Sequence, residues 1–162
     1  MSNDKGVKAV FTNLVNCIKV LNKGIPVVQV GILGDKNHRN KGEEGNAEIG
    51  FQNEFGKMTG YPKIPQRSFI RYPLNAKFKE FAKKKESLTR EAFEKSVEEG
   101  KGDEFAKKVG LVAEEVIQTA FSTQGWGKWP DNAPLTISLK GSDKPLIDTG
   151  QLRRSISSRL KK

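Results

Sequence analysis

The chain has 162 residues, of which 35% are hydrophobic, so it is long enough for one domain with a buried core and too short for two. Its 29 lysines and arginines outnumber its 19 aspartates and glutamates, and the net charge of +10 favours association with nucleic acid, an anionic surface or an acidic protein. Neither a leader sequence nor a run near the ~18 apolar residues of a membrane span is seen, so we expect a soluble protein without a membrane partner. The only cysteine, Cys17, cannot form an intramolecular disulfide, which favours a cytoplasmic folding environment.

The first third of the chain predicts a helix, a strand and a polar loop. Apolar residues recur at helical spacing over 7–21 and predict an amphipathic helix. Residues 26–33 are β-branched and partly alternating, which predicts a strand. Residues 35–46 carry no apolar side chain, and we expect them to form a solvated, mobile loop. The lone histidine, His38, lies in this loop without a His or Cys cluster beside it, so no metal site is predicted.

The middle of the chain predicts a short helix, an extended segment and a helical hairpin. Apolar side chains over 47–56 favour a short helix ending at Gly56, with a strand as the alternative. Two prolines in 61–71 impose extended backbone. One long helix is expected over 73–99 and a second over 103–123, and the glycines between them predict an antiparallel hairpin.

The last part of the chain begins with a loop and ends with a compact motif. Residues 124–145 are rich in Gly, Pro and Trp, which predicts a loop pinned by one or both tryptophans. Residues 145–156 read PLIDTGQLRRSI, in which Asp-Thr followed by Gly150 favours a tight turn. If Asp148 or Thr149 caps the short helix that follows, its apolar side chains share one face and its arginines point outward. A final strand is expected over residues 155–160.

The same motif admits a catalytic interpretation, because Leu-Ile-Asp-Thr-Gly at 146–150 is also typical of the catalytic strand and turn of an aspartic protease. That chemistry requires two carboxylates that share one proton. The chain has one such motif, so a homodimer would have to supply the second. On this interpretation Asp148→Asn would abolish a measurable peptidase activity.

Three separated blocks of the sequence also stand in a recognisable order. They are VGIL (30–33) leading to NEFG (53–56), then IPQRSFIR (64–71), and then WP through PLIDTGQLRRSI (129–156). In this order the blocks resemble the virion morphogenesis, tail-completion or neck proteins of long-tailed bacteriophages, and the resemblance covers most of the chain from residue 27 onward. The chain departs from that pattern in its long polar segment over 35–46.

The resemblance implies a structural protein that is not an enzyme and uses no metal or cofactor. It implies a ring of copies in the virion neck, where the DNA-filled head meets the tail, with assembly in the host cytoplasm. The implied partners are other copies of the chain, head-side connector or adaptor proteins and tail-terminator or tail-tube proteins, with non-specific contact to passing DNA. A small basic nucleic-acid-binding module is the alternative, based on the net charge and the lysine-rich helices.

We therefore expect an α+β fold in a single domain, 1–162, with a helical hairpin and other long helices packed on a small β-sheet. The extended loops of this domain would be the polar segment 35–46 and the Trp/Pro-rich segment 124–145. The residues expected to contact a partner or DNA are Arg67, Arg71, Trp126, Trp129, Arg153 and Arg154. The residues expected to anchor the motifs are Phe69, Leu146, Ile147, Asp148, Gly150 and Leu152.

Overall fold

A computed structural model describes residues 12–19, 26–39, 43–60 and 62–161 of the chain. Within these residues the fold is α+β, as expected, with helices and one two-stranded antiparallel sheet. The strands are β1 (Val28–Ile32) and β2 (Ile156–Leu160). The helices are α1 (residues 12–19), α2 (Asn46–Phe55), α3 (Arg71–Lys83), α4 (Arg90–Glu98), α5 (Gly102–Ser122), α6 (Gln124–Gly127), α7 (Pro134–Lys140) and α8 (Gln151–Arg154). None of these helices is long and apolar enough to cross a membrane.

The sheet joins β1, which follows α1 in the chain, to β2 near residue 161, and it lies on α5. Val28 pairs with Leu160 and Ile32 with Ile156, so both predicted strands are confirmed. Gly110 of α5 faces this sheet, and a Cβ at that position would lie 2.6 Å from the Ser158 Oγ. The absence of a side chain at residue 110 therefore lets the helix approach the sheet closely.

The core forms around the C-terminal half of α5, which is the longest described helix and is confirmed close to its predicted bounds. The Phe121 ring lies 5.2 Å from the Phe69 ring and 5.9 Å from the Trp129 ring, measured between centroids. Leu152 of α8 and Ile156 of β2 complete this cluster. Parts of all three sequence blocks therefore share one apolar core with α5.

The prediction of a single long helix over 73–99 is wrong. The chain instead forms α3, a 3-10 turn at Glu86–Leu88 and α4. Thr89 begins the second helix, because its hydroxyl accepts a hydrogen bond from the Ala92 backbone amide. The break lets α3 and α4 each pack against α5, and the Phe93 and Phe105 rings lie 5.2 Å apart in the expected hairpin.

The polar segment 35–46 makes specific hydrogen bonds near α2, and residues 40–42 lie outside the described part. Residue Asn46 is buried, and its amide donates to the backbone carbonyl of Lys36 at 2.8 Å. The Asn37 side chain in turn accepts from the Ala47 backbone amide at 2.7 Å. These hydrogen bonds fix the start of α2, so the end of the segment is not solvated as expected. Both ends of the helix predicted over 7–21 lie outside the described residues.

Candidate functional site

The helix α2 buries polar side chains and exposes aromatic ones. Its buried residues, Asn46, Gly50 and Glu54, recur at four-residue spacing and form one face. The helix ends at Gly56, as predicted. The sequence had suggested that the apolar residues of this segment form its packing side. The structure places Phe51 and Phe55 on the exposed side of the helix, while Ile49 packs against the core.

Glu54 joins the first sequence block to the second. Its carboxylate is buried, with 4% of the residue exposed. Oε2 accepts from the backbone amides of Phe69 and Ile70 at 2.7 and 2.9 Å. Oε1 accepts from the Ser68 hydroxyl at 2.7 Å and from the Arg71 amide and Nε at 3.1 and 3.0 Å. Three of these five bonds satisfy backbone amides at the start of α3, where the helix dipole also favours a negative charge.

Arg71 lies at the edge of this arrangement, and 52% of its side chain is exposed. Its guanidinium bonds Glu54 through Nε and lies 4.0 Å above the centre of the Phe55 ring. A cation above an aromatic face is attracted by the ring quadrupole. The predicted contact residue Arg71 is therefore held in one position while it stays accessible.

Arg67 joins the second block to the third, and it lies inside the protein with 6% exposed. Its Nε donates to the Pro130 carbonyl and its Nη2 to the Asp131 carbonyl, both at 2.8 Å. Trp129 is also buried, and its indole Nε1 donates to the Ser68 carbonyl at 3.2 Å. The predicted surface contacts at Arg67 and Trp129 are therefore replaced by internal ones, because the turn of the Trp/Pro-rich loop needs donors for its carbonyls.

Before that turn, the chain makes a short run of left-handed backbone in α6. All four of its residues have positive φ, from +50° at Gln124 to +71° at Gly127. This geometry brings Gly125 against the ring of Trp129. The other tryptophan, Trp126, stays partly exposed with the Lys77 ammonium 5.6 Å from its ring centre. Trp129 thus pins the loop from inside the core, as expected of one or both tryptophans, and Trp126 packs against the core while part of its ring stays exposed.

The turn at 148–150 differs from its predicted capping scheme. Gly150 is the N-cap residue of α8 and has a φ of +74°, and no side chain at that position caps the helix. The Thr149 hydroxyl accepts from the Gln151 amide at 3.4 Å, while the Asp148 carboxylate is exposed. Asp148 is therefore not the cap. Gly150 has the expected role because its left-handed torsion favours a residue without Cβ.

The expected apolar anchors are all in or against the core. Phe69 and Leu152 are buried, and Leu146 and Ile147 pack beside them as partly buried residues. Leu146 has a φ of +59°, which a non-glycine residue adopts at an energetic cost, so the surrounding packing holds it there.

Arg153 and Arg154 turn in different directions at the end of the motif. Arg153 is partly buried, and its Nε donates to the Gln118 side-chain oxygen at 2.8 Å. The Gln118 amide returns a bond to the Arg153 carbonyl at 2.9 Å, which fastens α8 to α5. Arg154 is exposed, with one terminal nitrogen on the Thr149 carbonyl at 3.0 Å. Arg154 is thus the more accessible of the two.

All three blocks contribute to one open cleft of about 510 Å³. Its apolar part includes Ile49, Ile64, Leu146 and Leu152. Its cationic side chains are Arg39, Lys63, Arg67 and Lys140, and its carboxylates are those of Asp131 and Asp148.

Burial affects the charges in this cleft. It lowers the pKa of the Arg67 guanidinium, and the Asp131 carboxylate opposes that shift. Burial also lowers the pKa of the Lys140 ammonium, against the opposing effect of Asp148. A single Asp-Thr-Gly carboxylate beside a lysine is not the paired-carboxylate arrangement that aspartic protease chemistry requires.

Among the described residues, no group of three or more His, Cys, Asp or Glu side chains is arranged to hold a metal ion. Searches against protein-family models, curated proteins and solved structures gave no match.

Exposed apolar side chains spaced i, i+4 occur in three described helices: Leu14 and Ile18 of α1 are 55% and 47% exposed, and the sequence did not single out the other two pairs. Phe51 and Phe55 are 64% and 47% exposed, with ring centroids 4.7 Å apart. Leu135 and Leu139 of α7 are 61% and 80% exposed. Each pair is spaced i, i+4, so each forms an apolar strip along one helix face, and this spacing was visible in the sequence.

Proposed function

We propose that this chain is a structural protein of a tailed bacteriophage that forms a ring at the head-tail junction, joins the DNA-filled head to the tail and lets DNA pass. Its place is in the virion, after assembly in the host cytoplasm. The order of the three sequence blocks supports this assignment. Their convergence through Glu54, Arg67 and Trp129 supports a structural purpose for them, since these side chains bond backbone groups of another block.

The observation that carries the assembly proposal is the pair of exposed apolar strips. Contiguous apolar surface on a soluble protein marks sites of protein association. The strip of Phe51 and Phe55 borders an open apolar groove of about 300 Å³ beside β1. The strip of Leu135 and Leu139 lies on α7, which also supplies residues to the cleft of the three blocks. A ring requires two different surfaces on each copy, and we assign these two to contacts between copies.

The virion role is tested by imaging phage particles made without this protein. Full heads separated from finished tails are the expected result. Normally joined virions would contradict the proposal.

The contact surfaces are tested with the purified full chain by sedimentation velocity over a range of concentrations. Phe51→Ser/Phe55→Ser and Leu135→Ser/Leu139→Ser should each reduce self-association, because each removes an exposed apolar strip. Leu111→Ser is the matched control, since Leu111 is 62% exposed and lies on α5 outside both strips. Equal loss of association in all three variants, or in none, would reject the assignment.

A further inference from the structure

A second cleft of about 430 Å³ lies on another part of the surface, where α3 meets Lys128 and Trp129 near the start of the Trp/Pro-rich loop. Arg71 and Lys128 supply its positive charge, and no described Asp or Glu lines it. The side chains of Gln66, Tyr72 and Asn75 add neutral amide and hydroxyl groups. Cationic side chains together with such neutral donors are the groups that contact phosphate oxygens of nucleic acids.

The two cations of this cleft are held in place by aromatic rings. The Arg71 guanidinium lies over Phe55 and uses Nε on Glu54, and among the described residues its terminal nitrogens have no hydrogen-bond acceptor. The Lys128 ammonium donates to the Tyr72 hydroxyl and lies 4.6 Å from the centre of that ring. Cations that are already positioned lose less side-chain entropy when they bind an anion.

The positive surface continues from this cleft along α3. Arg71, Asn75, Lys79 and Lys83 are all exposed and follow one another at four-residue spacing, so they form one stripe. Within the described part of the chain, neither Lys79 nor Lys83 has a carboxylate partner within ion-pair distance. From the first to the last member the stripe rises about 18 Å. That length corresponds to about five phosphates along one strand of a DNA duplex.

We infer that the cleft and this stripe of α3 form a binding surface for the phosphate backbone of duplex DNA. The binding is independent of base sequence, since the surface offers lysine and arginine charge with hydrogen-bond donors of the kind that contact phosphate oxygens. This inference is based on the positive surface alone and does not require the virion role.

The test measures binding of a fluorescein-labelled DNA duplex of arbitrary sequence by anisotropy, with the purified full chain at salt concentrations from 50 to 300 mM, roughly the range over which phosphate contacts are screened. The variant is Lys79→Gln/Lys83→Gln/Lys128→Gln. The matched control is Lys107→Gln/Lys108→Gln/Lys161→Gln, which removes the same charge from exposed lysines outside the surface.

The logarithm of the affinity falls linearly with the logarithm of the salt concentration, and each lost phosphate contact reduces the magnitude of this slope by about 0.9. For the variant, the magnitude of the slope should therefore be smaller by about 2 to 3, and binding at low salt should be at least about tenfold weaker. The control should keep a slope close to that of the unaltered chain. Equal weakening in both would mean that binding reflects net charge alone, and unchanged binding in the variant would place the DNA elsewhere. Each of these outcomes overturns the inference.

Polyglutamate is tested as a competitor in the same assay. If it displaces DNA at equal concentration of negative charge, the surface suits an acidic protein and the inference is wrong. Thermal unfolding of both triple variants should match that of the unaltered chain, because all six lysines are exposed. If only the first variant unfolds early, Lys128→Gln alone must still lower the slope by about 0.9 while the fold is kept, or the inference fails.

Discussion

Replacing Glu54 with glutamine tests whether the buried carboxylate holds the first two sequence blocks together. The substitution keeps the size of the side chain but replaces one acceptor oxygen with an amide that carries hydrogens. If that amide takes the position of Oε2, the backbone amides of Phe69 and Ile70 lose their acceptor. In the opposite orientation it faces the donors of Ser68 and Arg71 instead.

The magnitude follows from the number of hydrogen bonds that cannot be kept. At least two bonds to a charged acceptor are lost in either orientation, and each contributes about 1.5–3 kcal/mol. We therefore expect Glu54→Gln to lower the free energy of unfolding by about 3–6 kcal/mol, out of the ~5–15 kcal/mol typical of a whole domain. The corresponding fall in Tm is roughly 6–24 °C for a chain of this size.

Denaturant unfolding followed by circular dichroism measures this effect. Glu48→Gln is the control, because Glu48 lies on the same helix but is exposed, and its loss should cost less than about 1 kcal/mol. If the two variants unfold at the same denaturant concentration, Glu54 does not hold the blocks together and the structural argument built on it is wrong.

Four further substitutions test the loop and the helix break. Arg67→Lys should lower the free energy of unfolding by about 1–3 kcal/mol in denaturant titrations, because one ammonium cannot donate to both carbonyls as the planar guanidinium does, and a part-buried carbonyl loses its donor. An unchanged midpoint would contradict this. Gly125→Ala and Gly127→Ala each put a Cβ on left-handed backbone, which should lower the free energy of unfolding by about 1–2 kcal/mol. Only the Cβ at residue 125 would meet the Trp129 ring, at 2.4 Å, so Gly125→Ala should cost about 1–3 kcal/mol more. Equal costs would exclude the clash. Thr89→Ala should cost about 0.5–2 kcal/mol by removing the cap of α4, and a neutral result in thermal unfolding would show that another interaction starts that helix.

The elements that could be predicted from the sequence are those whose evidence is local. The helix α5 follows from its apolar periodicity, and the strands β1 and β2 follow from short runs of suitable residues. The break between α3 and α4 was missed because the apolar spacing continues across it, while a single capping hydroxyl at Thr89 gives the only local indication.

The internal role of Arg67 could not be predicted, because its partners are 63 and 64 residues away along the chain. An arginine beside prolines favours an exposed position unless backbone carbonyls elsewhere in the fold lie within reach of its guanidinium. Those carbonyls belong to a turn whose place depends on the packing of Trp129 against α5. Only the assembled tertiary structure contains this information.

The helix α2 shows how the same pattern leads to a different conclusion once burial is known. In its sequence Phe51 and Phe55 indicate a packing face, yet they are exposed and the buried face carries Asn46 and Glu54. Buried polar side chains with fixed hydrogen-bond partners determine how the helix is oriented, because any rotation would leave them unsatisfied. That orientation keeps the two aromatic rings at the surface, where the protein gains nothing from them in its own core. Within the chain these rings contact each other and the Arg71 guanidinium, and their remaining apolar area would be buried if another surface covered them.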